Sequence, residues 1–252
     1  MTATLEDFFN ETLPPPDPLR DDLIDMIRKK ADSNPRHLQR ELGPSEIGTP
    51  CARKLAFGLI QVPRSNPEWD CLPSAYGVAM HTWLQDAAEL ANERLGYERW
   101  ITERKVEIRH DLWGTCDLYD TETGTVVDWK NLGYTSFDTH VKDVGPVYRN
   151  QVQLYGFGFS RLGYEVKQVA IAMLPRTGTL SKMHLERMDY NEAIAQRVLD
   201  RRDAVIELID TFDVENHPER YEWFPKTPDS CVFCPWWRPE PKSPIQCDGK
   251  AS

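Results

Sequence analysis

The sequence has no long apolar run, no excess of positive charge and no tandem repeat, and each absence removes a class of protein. No stretch approaches the length that crosses a bilayer, so a membrane-spanning helix is not expected. The opening residues, Met-Thr-Ala-Thr-Leu-Glu-Asp-Phe-Phe, lack the basic region and apolar core of a secretory signal, and a cytoplasmic setting is expected. Lysine and arginine number 30 against 40 aspartates and glutamates, a net charge of −10, which argues against a general polyanion binder. Cysteine is sparse at six, and in such a setting points to metal binding or buried thiols before disulfides.

What is present is enough for one full core: 252 residues, 40% of them hydrophobic. Residues 1–18 end in Pro14-Pro-Pro-Asp-Pro18 and read as a flexible segment closed by a stiff linker. Residues 19–32 read as a helix with Leu19, Leu23 and Ile27 on one stripe. Cys51 stands at the start of a short helix carrying Arg53 and Lys54. The spacing predicts a long helix over 74–95, with Ser74 as N-cap, Gly96 as its stop, and a stripe of Tyr76, Met80, Trp83, Leu84, Ala87, Ala91 and Leu95. His81 lies one step off that stripe. Lys105 to His110 alternates as a strand. Pro146 opens a helix to about Leu162, Val166 to Leu174 reads as a strand covered on both sides, and 190–212 as a charged amphipathic helix. Residues 225–244 hold six prolines, so that tail needs a staple. This order predicts an α/β fold with a central mixed sheet flanked by helices.

The chemistry centres on Gly114-Thr-Cys-Asp-Leu-Tyr-Asp-Thr-Glu-Thr-Gly-Thr-Val-Val-Asp-Trp-Lys130, which reads as a β-hairpin. Asp128 and Lys130 are two apart and share a face, and Asp117 on the partner strand converges with them. Two carboxylates and an amine at one sheet edge suit a divalent cation with a charge handler beside it. The Trp129 carbonyl can add an oxygen and His81 a nitrogen. Singly, each has a blander reading: Asp117 and Asp128 as surface charges, Lys130 as a solvated lysine, His81 as a packed histidine.

The ordered set Gly77-x-x-x-His81, Gly114-x-x-Asp117, Asp128-Trp-Lys130 and Gln151-x-x-x-Tyr155 resembles the RecB-like branch of the PD-(D/E)XK nucleases over residues 45–247. Where that family carries a proline before the first acidic residue, this chain has Cys116. The resemblance implies a restriction-endonuclease-like core, with residues 19–247 as one nuclease domain. It implies His81, Asp117, Asp128 and Trp129 as ligands of Mg²⁺ or Mn²⁺, Lys130 as the catalytic lysine, and Gln151 and Tyr155 as orienting groups. It further implies metal-dependent hydrolysis of DNA, single-stranded or at ends, with the 5′ end favoured.

Cys231-Val-Phe-Cys234, with Cys247 thirteen residues on, can grip a metal or one edge of a cluster, and Cys51 is the natural fourth thiolate. One upstream and three C-terminal cysteines resemble the iron–sulfur members of the family, the CRISPR-adaptation exonucleases and AddB-type helicase–nucleases. That resemblance implies a [4Fe–4S] cluster binding region 225–247 to Cys51, and a recombination or CRISPR-adaptation protein as partner. The wide gap between Cys234 and Cys247 leaves zinc open, and with it a zinc-stapled endonuclease. A non-cleaving DNA-binding or scaffold subunit is the other alternative. Cys116 and Cys71 are not needed as ligands. Arg53, Lys54, Lys142, Arg149, Arg161 and Arg176 are the cations that could line a groove, and Tyr134, Phe137, Trp236 and Trp237 the aromatics that could stack on exposed bases, although such cations are more often solvated charges and such aromatics more often packing residues.

Overall fold

The computed structural model of the protein describes residues 17–33, 42–66, 70–227 and 231–250. Most of the N-terminal segment expected to be flexible lies outside the described residues. The chain divides into two units, residues 1–39 and 40–252. In the first, helix α1 (Pro18–Asp32) is started by Asp17, whose carboxylate accepts from the backbone N–H groups of Leu19 and Arg20. Its apolar residues Leu19, Leu23, Met26 and Ile27 are exposed.

The second unit is built on a five-stranded mixed sheet whose spatial order follows the chain. Strands β1 (Trp100–Arg109), β2 (Leu112–Asp120) and β3 (Thr125–Leu132) form an antiparallel meander. Helices α5 (Tyr134–Lys142) and α6 (Gly145–Arg161) then carry the chain to β4 (Gln168–Pro175), parallel to β3, as a parallel pair requires. Strand β5 (His184–Asp189) closes the sheet antiparallel to β4. Of the remaining helices, α2 (Pro44–Ile47) and α3 (Ala52–Leu59) precede α4 (Leu72–Leu95), and α7 (Glu192–Phe212) follows β5.

Both faces of the sheet are covered, as the alternation of apolar residues requires. Val152, Tyr155 and Phe159 of α6 pack on Val106, Cys116, Tyr119, Val169, Ile171 and Met173. Leu118, Val127, Ala170 and Ala172 point to the opposite face, where Ala88 of α4 meets them. Beyond α6 a further layer joins α3, α7 and the C-terminal segment through Phe57, Leu55, Val198, Val205, Tyr221, Phe224 and Trp236.

Helix α4 differs from its expected form in two ways. It begins at Leu72 after Cys71, ahead of Ser74, and ends as expected at Gly96, in the left-handed conformation that favours glycine. Its inward stripe is also rotated. Tyr76, Trp83 and Leu95 are exposed, whereas His81, Leu84 and Ala88 are partly covered. The sheet face on this side buries few apolar residues, Leu118, Val127, Ala170 and Ala172, which leaves the largest apolar side chains of α4 outside the contact. Helix α5 and strand β5 have no counterpart in the hydrophobic pattern, because most of their residues are half-exposed and polar.

The proline-rich tail is fastened to residues 50–66. Backbone groups of Ser65 and Asn66 donate to the Pro235 carbonyl, and the Asn66 amide reaches the carbonyls of Val232 and Cys234 at 2.7 and 2.8 Å. Trp236 is buried, with its indole N–H on the Val62 carbonyl at 3.0 Å. That burial gives Trp236 a packing role and takes it out of reach of bases. Phe137 likewise packs into the core against α6.

Candidate metal centre and thiol pocket

Strands β2 and β3 pair only from their turn to Leu118 and Val127, and beyond that level they part. Asp117 and Asp128 stand where the ladder opens, and both are buried. Gly114 fixes how closely the layers approach just below. A Cβ there would come within 2.6 Å of the Pro44 ring and 2.8 Å of the Tyr155 ring, so only glycine fits.

The structure brings the expected residues into two connected groups. In the first, His81 Nδ1 of α4 lies 3.2 Å from Asp117 Oδ1 and 3.9 Å from a Glu103 oxygen of β1. Ligand atoms of His81, Glu103 and Asp117 all fall within 4.8 Å of one another, an O, O, N donor set that suits Mg²⁺ or Mn²⁺. Sequence reasoning missed Glu103. It sits in the polar run Thr102-Glu-Arg-Lys105, which broke the strand pattern and placed the start of β1 after it. The interrupted alternation was itself the available signal.

In the second group, Lys130 Nζ lies 2.6 Å from Asp128 Oδ2 and donates to Gln151 Oε1 at 3.0 Å. Gln151 Nε2 donates to Asp128 Oδ1 at 3.0 Å and lies 3.4 Å from the Tyr155 hydroxyl. Gln151 therefore clamps acid and amine together, and these two partners fix which way its amide faces. The ring of Tyr148, one turn before Gln151 on α6, lies 4.8 Å from Lys130 Nζ, within cation–π range. Trp129 links the groups, because its backbone N–H donates to Asp117 Oδ2 at 2.7 Å. Its carbonyl faces the same side of the strand.

The electrostatics follow from burial and crowding. Burial raises the Asp128 pKa to about 6, with Asp117 adding to the shift and Lys130 opposing it. Burial works to lower the Lys130 and His81 values, but the Asp128 carboxylate raises the first and Asp117 the second above their ordinary ranges. Burial also lifts the Tyr155 phenol and the Cys116 thiol well above theirs, so both stay protonated.

The second constellation is a pocket lined by Cys51, Cys231, Cys234 and Cys247, with Arg53, Lys54 and Trp237 in its wall. None of the four is in a disulfide among the described residues. The Lys54 backbone N–H points at Cys51 Sγ from the first turn of α3 (3.5 Å), and that of Gly249 at Cys247 Sγ (3.4 Å). Gly249 has a φ of +75°, and a Cβ there would stand 2.6 Å from the Cys231 Cβ. Arg53, expected in a DNA groove, is instead buried at this pocket, with its Nε lacking a hydrogen-bond partner. Cys71 and Cys116 are buried elsewhere, as expected for non-ligands. Of the other expected groove cations, Arg149 pairs with Asp143 and Arg161 lies over Phe157. Arg176 donates to the Asn131 carbonyl at the end of β3 and lies over Tyr76, beside the carboxylates' strand. Tyr134 is exposed at the start of α5.

No family model matches the sequence, and no curated protein does. Among solved structures, a phage-related exonuclease from Haemophilus somnus 129PT aligns with a TM-score of 0.45 at 14% identity, over 66% of this chain and 82% of its own. An alkaline exonuclease, LHK-Exo from Laribacter hongkongensis, aligns at 0.40 and 11%, over 71% and 96%. The protein SSO0001 aligns at 0.43 and 14%, over 74% and 86%. At these scores the likeness is remote, and the functional reading rests on the site's own geometry.

Proposed function

We propose that the protein is a divalent-metal-dependent DNA exonuclease of RecB-like type, acting on single strands or ends, with a thiolate-held cluster as a structural staple. The observation that carries the reading is the buried chain Asp128–Lys130–Gln151–Tyr155 set against His81 and Asp117 on neighbouring elements. Six residues from α4, β2, β3 and α6 converge at one opening of the sheet, a convergence that surface charges on a hairpin do not require.

The donors fit Mg²⁺ or Mn²⁺, with His81, Asp117, Asp128 and the Trp129 carbonyl as holders. Such an ion supplies Lewis acidity toward a phosphodiester oxygen and toward water. The chain's own residues do the rest. Lys130, kept protonated by Asp128, offers a fixed cation where charge grows on the phosphoryl oxygens or on the attacking water. Gln151 holds that amine and the Asp128 carboxylate in one geometry, and Tyr155 braces Gln151. Arg176, Tyr76 and Tyr134 offer charge and ring faces to a strand entering beside β3. This local arrangement reconciles a polyanionic substrate with an acidic chain.

For the thiol pocket, a buried guanidinium without a hydrogen-bond partner at Nε calls for negative charge beside it, and metal-bound thiolates supply that charge. Four cysteines around one pocket suit a [4Fe–4S] cluster or zinc, and the cluster is preferred on the resemblance of one upstream and three C-terminal cysteines to the iron–sulfur members of the family.

The test is incubation of anaerobically purified protein with 5′- and 3′-labelled single- and double-stranded DNA in Mn²⁺, with the visible spectrum and iron, sulfide and zinc contents of the same preparation. Progressive shortening from an end that disappears in Lys130→Ala supports the exonuclease reading. Tight DNA binding without cleavage in any divalent metal overturns it in favour of a scaffold. Colourless protein with one zinc per chain overturns the cluster alone.

A further inference from the structure

Strands β1 and β2 keep one register through the level of the site, where Thr102 pairs with Leu118 and Arg104 with Cys116. Glu103 therefore stands opposite Asp117, yet the ladder skips that pair, and Glu103 adopts a φ of +44°. Glutamate gains nothing from this left-handed region, which favours glycine and, among other residues, asparagine and aspartate. The inward-facing parity changes by one on both strands at the same level. On β1 the core residues pass from Ile101 to Val106, and on β2 from Tyr119 to Cys116, all within the cluster packed against α6. Regular alternation would keep a single parity along each strand. Both strands are thus turned about the Glu103–Asp117 level.

The turn brings together what sheets usually keep apart. Like charges directly opposite on paired strands destabilise the pair. Here the two carboxylates share a 4.8 Å neighbourhood with the His81 imidazole. Backbone strain and like-charge crowding at one level are both accounted for by a cation shared among these groups.

We propose that Glu103 is a direct ligand of the divalent cation alongside His81 and Asp117, and that the left-handed turn at residue 103 serves to aim its carboxylate. The inference rests on the metal-hydrolase reading, but its test reads metal binding and backbone strain rather than cleavage.

The experiment is calorimetric Mn²⁺ titration of the full chain after dialysis against EDTA, comparing wild type with Glu103→Gln and Glu103→Gly and checking each fold by circular dichroism. Both variants are expected to weaken Mn²⁺ binding by about tenfold or more. Without metal, Glu103→Gly is expected to melt above Glu103→Ala, because glycine takes a positive φ freely. Wild-type affinity in Glu103→Gln overturns the assignment whether or not DNA is cut. If Glu103→Gln does not fold, Glu103→Gly carries the same comparison. Melting of Glu103→Ala at or above Glu103→Gly overturns the aiming role. Wild-type protein that binds no Mn²⁺ sinks the metal-hydrolase reading itself, and this assignment with it.

Discussion

The β2–β3 hairpin buries a carboxylate near its turn and two more near its mouth, and the surrounding residues treat them in opposite ways. Near the turn, Asp120 receives Arg99 in two-pronged fashion at 2.9 and 3.1 Å, the Thr123 hydroxyl at 2.7 Å and the Glu122 N–H at 3.2 Å. Burial pushes its pKa up, but the Arg99 and Thr123 hydrogen bonds outweigh that and hold it below the carboxylate range. Near the mouth, Asp117 and Asp128 face each other and Glu103, with one lysine and one histidine between them. There burial and crowding win, and Asp128 rises to about 6. Residue type and hairpin are common to both ends. A carboxylate whose partners match it is part of the scaffold, and one crowded by its own kind has the charge that the proposed cation would offset.

The comparison breaks most visibly in activity. Lys130→Ala or Asp128→Asn is expected to lower DNA cleavage in Mn²⁺ about a thousandfold or more, while Asp120→Asn stays within about twofold at temperatures where it is folded. Initial rates on end-labelled DNA measure both.

Metal-induced stabilisation comes next. At Mn²⁺ a hundredfold above its dissociation constant, wild type and Asp120→Asn are expected to gain about 2.7 kcal/mol, read from denaturant melts with and without EDTA. Asp128→Asn should gain much less, and an equal gain would show that Asp128 is no ligand.

In the absence of metal the roles invert. Asp120→Asn is expected to lose about 1–3 kcal/mol, since it strips the charge from a buried, fully hydrogen-bonded carboxylate. Asp128→Asn should lose less at pH 7, because it also removes a buried charge that burial disfavours.

The smallest effect is in pH, where the two ends have opposite signs. Asp128 has a folded pKa above its ordinary 3.8, so its contribution is full below about pH 4 and is lost as pH rises through about 6. His81, also raised, loses its contribution as pH climbs through its own folded value above 6.5. Asp120 lies below 3.8 in the folded protein, so its contribution is full above that value and is lost as pH falls through the folded one. Metal-free wild type is thus expected to weaken from pH 4 to 7 by on the order of 1 kcal/mol, a slope that Asp128→Asn flattens and Asp120→Asn leaves in place.

Much of this contrast was legible in the residues. Strand spacing puts Asp128 and Lys130 on one face and helix spacing does the same for Gln151 and Tyr155, but that these meet Asp117 and His81 was legible only through the resemblance of the ordered set. The apolar stripe of α4 pointed one step away from His81. That stripe misled because hydrophobic periodicity assumes a wide core beneath a helix, and the sheet face on the α4 side buries few apolar residues, Leu118, Val127, Ala170 and Ala172. Glu103 was passed over for a related reason. A polar run inside a strand reads as its end, whereas here it marks a turn within it. Arg53 and Trp236 were candidates for DNA contact by side-chain chemistry, and both are buried, one at the thiol pocket and one in the core beside it. Long-range packing of a proline-rich tail leaves no periodic trace.

A bond between α6 and the loop ahead of Cys51 bears on how the protein matures. The Asn150 amide donates to the Gly48 carbonyl at 3.0 Å, and Val147 of the same helix lines the thiol pocket. Asn150 is the immediate neighbour of Gln151, the clamp on Asp128 and Lys130. The thiol pocket closes only when residues 231–250 have been synthesised and folded back onto residues 49–66, a contact of very long sequence separation and so a late one. During synthesis α6 therefore meets its neighbours in that pocket, at Val147, only once the tail has docked. A chain interrupted before that point would carry Asp117, Asp128, Lys130, Gln151 and Tyr155 and still lack the thiol pocket.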